Sequence, residues 1–165
     1  KGSEQCDPAL DHGWVLHGLW PQYEDGWPSF CNTTERNPSR GQTAEMADIM
    51  GSSGLAWYQW RKHGRCSGLS AGDYFALARL AWDRVTRPPV FRALEEPVRV
   101  PPEVVEEAWL EANPGLTADM ITVTCRDSYI HEVRICLDRS LEPRVCAPDT
   151  RRDCSRDWGL LAPIR

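Results

Sequence analysis

The sequence predicts an α+β protein, with a central antiparallel sheet flanked by helices and stabilised by disulfides. Three observations carry that class. Helical periodicity runs through residues 70–85 and 102–111, strict alternation follows in 121–125 and 129–137, and seven cysteines lie within 165 residues. No repeat, low-complexity tract or linker interrupts the chain, which predicts a single domain over residues 1–165.

Along the chain, residues 14–19 read as a strand that delivers His17, and the turn-rich stretch 21–40 reads as a surface loop. Residues 43–50 suggest a short helix, and 57–66 a second one. Ser70 with Asp73 three positions on resembles a capping box. Behind it Tyr74, Leu77, Ala78, Ala81, Trp82 and Val85 form a core stripe that stops at Pro88. Pro101 and Pro102 open a further helix through Glu111; its acidic first turn suits the helix dipole, and Asn113-Pro114-Gly115 ends it. The alternating stretches 121–125 and 129–137 predict an antiparallel hairpin turning near Asp127 and Ser128. His131 shares parity with Val133, Ile135 and Leu137 and is expected near the core, whereas His12 lies in a polar turn. The tail 146–165 is expected to be irregular and held by disulfides.

Composition narrows the function classes. The formal charge of −5 argues against broad electrostatic capture of duplex nucleic acid, and no apolar run approaches membrane-spanning length. Seven cysteines favour an oxidising compartment, secreted or periplasmic. No pair has C-x-x-C spacing and the histidines do not cluster with the thiols, so neither a metal nor another cofactor is expected. The chain begins without a charged-then-apolar leader, so a signal peptide is expected to have been removed or left out. Asn32-Thr33-Thr34 is a glycosylation sequon, meaningful only where the source glycosylates.

The candidate chemistry sits in two segments, VLHGLWPQY at 15–23 and WYQWRKHGRC at 57–66. Each sets a histidine against glycine and tryptophan, and only folding can bring His17 and His63 together as an acid and a base. If 57–66 is helical, about 100° per residue spreads Tyr58, Lys62, Gln59 and His63 over roughly 140° of one face. Trp57, Trp60 and Arg61 fall opposite, where the tryptophans can anchor the helix. Taken singly, each histidine reads more readily as a structural hydrogen-bonder than as a catalyst. Arg61 and Arg65 fit a phosphate site and a solvated helix face equally well.

HGLWPQY followed by WYQWRKHGRC resembles the two active-site segments of the ribonuclease T2 family, in the right order and at a plausible separation. The first segment matches the family's histidine-glycine-leucine-tryptophan-proline core in full. The second matches its tryptophan, lysine-histidine-glycine and cysteine. The resemblance implies a metal-independent endoribonuclease acting on single-stranded RNA through a 2′,3′-cyclic phosphate. His63 would be the general base on the ribose 2′-hydroxyl and His17 the general acid for the leaving 5′-oxygen, the roles reversing when the cyclic phosphate is hydrolysed. Lys62 would stabilise the phosphorane oxygens, and Trp20 would stack on a base, with Gln22, Trp27 and Tyr58 as further substrate contacts. DNA, which has no 2′-hydroxyl, would be no substrate, and a monomer is expected.

Tyr58 and Gln59 depart from the family, which most often has a histidine-glutamate pair there. Gln59 can donate to a phosphate oxygen but holds no negative charge, and Tyr58 offers a neutral hydrogen bond. The resemblance further implies the pairs Cys31–Cys66, Cys125–Cys154 and Cys136–Cys146. Cys6 is left over, and family members usually begin with an extra strand ending in a cysteine, so an N-terminal piece is expected to be missing. Two other classes stay open. One is a catalytically weak T2-like binding or signalling protein, suggested by Tyr58 and Gln59; the other is a disulfide-stabilised structural or inhibitory module with incidental histidines.

Overall fold

A computed structural model describes residues 13–164; Cys6 and His12, for which expectations were stated above, lie outside the described residues. The chain forms two compact units, one ending at Arg84 and the other running from Val85 to Ile164.

The first unit is helical: α1 Arg40–Glu45, α2 Ala47–Met50, α3 Ser53–Lys62 and α4 Ala71–Arg84. Residues 43–50 are therefore two helices rather than one. Ser39 caps α1 through a reciprocal box, accepting from the Gln42 N–H at 3.2 Å while its own N–H donates to Gln42 Oε1 at 2.9 Å. α2 ends on Gly51, whose φ of 78° suits a residue without a Cβ. The capping expected at Ser70 is present, its hydroxyl accepting from the Asp73 N–H at 3.2 Å. α4 then buries Ala71, Tyr74, Phe75, Ala78 and Ala81. With Met50 and Trp60, Ala71, Tyr74, Phe75 and Ala78 belong to one apolar core.

The strand expected at 14–19 does not form. That segment packs Leu16 and Leu19 on the helical core, where no strand offers a ladder. Its Leu16 N–H instead donates to the Ile49 carbonyl at 2.7 Å, and its Leu19 carbonyl accepts the Tyr74 hydroxyl at 2.8 Å.

The second unit holds β1 Val98–Val100, α5 Pro102–Ala112, β2 Ile121–Arg126, β3 Tyr129–Ile135 and β4 Gly159–Leu161. Proline opens α5 and Asn113 ends it, as the sequence predicts. The four strands are ordered β1-β4-β3-β2. β2–β3 and β1–β4 are antiparallel as expected, but β3 meets β4 in parallel at Tyr129–Leu160, so the sheet is mixed. The tail is thus not wholly irregular. It supplies β4, and the Cys154 N–H donates to the Val123 carbonyl at 2.8 Å, satisfying backbone groups that an unpaired tail would leave open.

The hairpin turns where expected, with Asp127 at φ 54°. His131 is not near the core, however. Thr124 pairs with Glu132 and Cys125 with Ile130, so His131 is the extra residue of a bulge that breaks the alternation and turns its side chain outward. Cys31–Cys66, Cys125–Cys154 and Cys136–Cys146 are all bonded, the same pairs that the resemblance implies. Three disulfides suit an oxidising compartment. Among the described residues, no helix is long and apolar enough to cross a membrane.

Candidate active site

Close packing dictates how the first segment meets α3. A Cβ on Gly18 would lie 2.2 Å from Gln59 Oε1 and 2.6 Å from Trp20 Nε1, so only glycine lets the chain pass here. Trp20 then donates its indole N–H to Gln59 Oε1 at 2.8 Å. The same indole stacks on the His63 imidazole, with ring centroids 5.3 Å apart and planes 26° apart. Tyr74 holds the segment from α4 through its bond to the Leu19 carbonyl. Burial pushes its phenol pKa up, so the hydroxyl stays a donor at all ordinary pH. His17, half-buried, is thereby carried one residue before the glycine that packs on Gln59.

α3 begins four residues earlier than the reading at 57–66, because Ser52 caps it by accepting from the Leu55 N–H at 3.1 Å. It also ends earlier. His63 is the C-cap, and Gly64–Cys66 tighten into a 3₁₀ turn. A Cβ on Gly64 would sit 2.4 Å from Trp60 Cε3, so the turn hugs the core.

The expected division of faces is corrected. Ala56, Gln59, Trp60 and His63 form the buried stripe, at the three-and-four spacing of a helix side. Gln59 and His63, each 5% exposed, therefore share the core side with Trp60, whereas Trp57 and Tyr58 face outward. Trp60 is the anchor, its indole N–H donating to Asn37 Oδ1 at 3.2 Å, and Trp57 is not. Gln59 receives the Trp20 indole at its carbonyl oxygen, so the phosphate contact expected of it falls to its amide NH2 group.

The electrostatics follow from that burial. His63 loses water, and the neighbouring Lys62 charge disfavours a second cation, so its pKa falls from 6.5 to about 4. Its Nδ1 is buried with no hydrogen-bond partner among the described residues. The imidazole is thus neutral and able to accept a proton through the whole neutral range. Lys62 is half-buried, its Nζ 5.8 Å from the centroid of the exposed Tyr58 ring. Arg61 is exposed and Arg65 half-buried.

The Cys31–Cys66 bond ties the loop after HGLWPQY to the turn following α3, and the Phe30 N–H donates to the Lys62 carbonyl at 2.8 Å. Gln22 and Trp27 stay exposed on this loop, which turns at Gly26 (φ 77°) as that residue's carbonyl accepts the Tyr23 N–H. Phe30, Asn37 and Tyr74 were not anticipated as site supports. Phe30 sits beside a cysteine of the pairing above, which is the one signal that could have found it; nothing local marks the other two.

No group of three or more potential metal ligands occurs among the described residues. A cleft of the second unit, lined by Glu103, Glu106 and Asp153, holds the Glu106 carboxyl above its usual range by burial and by the other two charges. Such a cleft repels a polyanion.

The chain is similar to a ribonuclease of Aeromonas hydrophila, 47% identical over 75 residues that cover 46% of this chain and 33% of that protein. It is also similar to the intracellular ribonuclease LX of Solanum lycopersicum, 33% identical over 89 residues, 44% of this chain and 37% of that one. The matched stretches thus span about a third of each relative's length. Among solved structures, an RNase-related protein from Calystegia sepium shares the fold with a TM-score of 0.69, covering 92% of this chain and 82% of that chain at 19% identity. The model of the Ribonuclease T2 family matches residues 1–154, a span that holds both histidine segments and all six paired cysteines, and the chain belongs to that family.

Proposed function

We propose that the chain is a metal-independent endoribonuclease that cleaves single-stranded RNA by transphosphorylation. The observation that carries this reading is the buried, neutral His63, stacked under a tryptophan of the segment that bears His17 and adjoined by the Lys62 cation. His63 takes the proton of a ribose 2′-hydroxyl, whose oxygen attacks the adjacent phosphorus. The bond to the 5′-oxygen breaks as protonated His17 supplies its proton. In the second stage His17 takes a proton from water, the water oxygen opens the 2′,3′-cyclic phosphate, and His63 returns its proton to the 2′-oxygen. Lys62 offsets the charge that develops on the phosphorane oxygens.

Trp20 covers His63 with one face of its ring, and this favours a positioning role beside any contact with a base. Gln59 acts through that indole. Gln22, Trp27 and Tyr58 present exposed polar and aromatic groups on the same unit and suit contacts to the strand. The family match runs across both compact units, which supports residues 1–165 acting as one domain. Secretion or a periplasmic location, and a monomeric state, complete the reading.

The test is cleavage of a dinucleoside phosphate in excess chelator, with product identification. A 2′,3′-cyclic product, formed without metal and not from the matching deoxy compound, is expected. Loss of cleavage with chelator overturns the mechanism, and binding without cleavage favours the alternative of a catalytically weak T2-like binding or signalling protein.

A further inference from the structure

Phe30 is an apolar ring that the fold holds in water. It is 51% exposed, and its backbone takes φ 52°, a left-handed conformation that a bulky side chain rarely adopts. Nothing in core packing explains keeping phenylalanine there, where glycine or asparagine would relieve the backbone and remove the exposed ring. Yet its position is closely determined. Its N–H donates to the Lys62 carbonyl at 2.8 Å, and the next residue, Cys31, is bonded to Cys66.

The ring meets a second exposed aromatic. Phe30 and Tyr58 stand edge to face, with centroids 6.4 Å apart and planes 75° apart, and Tyr58 is itself 45% exposed. Two rings at a right angle make a corner: a flat ligand can stack on one and place its edge against the other. The Lys62 ammonium lies 5.8 Å from the Tyr58 centroid, so a cation for a phosphate adjoins the corner. Flat apolar rings beside a cation are the combination that single-stranded nucleic acid requires, a π surface for the base and a charge for the backbone.

We propose that Phe30 and Tyr58 form a stacking corner that seats a nucleobase of the RNA strand next to the phosphate held by Lys62. This rests on the ribonuclease reading and adds a subsite to it. Because every base has a π face and no hydrogen-bonding group is needed, the corner accepts all four bases. It raises affinity for the strand without selecting its sequence.

The experiment measures binding apart from cleavage. The affinities of deoxydinucleotides, which have no 2′-hydroxyl to react, are determined by NMR titration at low salt for the native chain, Phe30→Ala, Phe30→Leu and Phe30→Tyr. Matching ribodinucleotides are assayed for kcat and KM. Loss of one stacked base should weaken binding about 5- to 100-fold in Phe30→Ala. Phe30→Leu, which keeps apolar bulk without a π face, should show most of that loss, and Phe30→Tyr should bind like the native chain. The loss on ribodinucleotides should fall mainly on KM.

If the native chain cleaves RNA and Phe30→Ala changes neither affinity nor KM, the corner is overturned while the ribonuclease reading stands. If binding depends on Phe30 but no RNA is cleaved, the ribonuclease reading fails and the corner stands; no binding and no cleavage removes both. A loss confined to one base overturns the claim that all bases are accepted. Should Phe30→Ala instead abolish self-association seen by sedimentation and leave nucleotide affinity intact, the corner is a protein contact and the proposal is wrong.

Discussion

The two units bury different things. The unit from Val85 onward buries Ile121, Val105 and Trp109, with Thr122 as its buried polar side chain among the described residues. The unit ending at Arg84 buries Gln59 and His63 along one helix side, beside Trp60. Burying an apolar side chain stabilises; burying an imidazole costs desolvation and leaves the group reactive. The difference teaches where chemistry resides: on the helix whose buried side carries Gln59 and His63 beside Trp60, while the sheet is built for packing and disulfides.

The largest expected effect breaks the comparison at its reactive end. His17→Ala and His63→Ala should each lower kcat by about 10² to 10⁴ with the fold retained, the usual contribution of a positioned acid or base. Stopped assays on a dinucleotide, with circular dichroism as control, check this; near-native kcat in either variant removes that histidine's role.

Next is the clamp between the loop and α3. Converting Cys31 and Cys66 to alanine opens a bond that spans 35 residues, and chain entropy sets the stability loss at about 3–4 kcal/mol. Urea unfolding measures it. The shorter Cys136–Cys146 bond, spanning 10 residues in the other unit, should cost less when removed, about 2–3 kcal/mol.

Protons offer a third contrast. Folding lowers the His63 pKa from 6.5 to about 4, so between those values the unfolded chain binds more protons than the folded one. Stability is therefore full above pH 6.5 and falls as pH drops toward about 4, by up to about 3 kcal/mol, and His63→Leu should flatten that window. The acidic limb of kcat/KM should lie near pH 4 as well, because the base must be neutral. Gln59→Glu, a buried carboxylate one turn away, should move that limb to higher pH.

A fourth contrast sets the indole bond against the sheet core. Gln59→Leu leaves the Trp20 N–H without its acceptor, costing about 1–3 kcal/mol, and should raise the His63 pKa as the covering ring loosens. NMR titration of the imidazole reads that shift, and an unmoved pKa would show that Gln59 does not act through Trp20. The smallest effect is Ile121→Val, expected to cost about 0.5–1.5 kcal/mol in urea unfolding with kcat/KM unchanged.

How much of this was legible varied with the range of the interaction. The stretch 70–85 reads correctly because cap and apolar spacing are local, and the hairpin turn reads correctly at Asp127 for the same reason. His131 misleads because a bulge, invisible to parity counting, reverses its side. The segment 14–19 has the composition of a strand, but its surroundings are helical and provide no ladder. In the site, His17, Lys62 and His63 are marked by motif. The stack of Trp20 on His63 and the bond to Gln59 join residues 39 or more positions apart, and no local pattern encodes them.

The amino-acid sequence by itself determined the residue types of the reaction, the cap at Ser70 and the proline start of α5, since each depends on neighbours within a turn or on a recognisable motif. Tertiary structure alone decided which side of α3 is buried, and with it that His63 is neutral and Gln59 is tied to an indole. A pKa is set by the water a group loses and the charges it meets, and both depend on what packs against the helix rather than on the helix's own spacing.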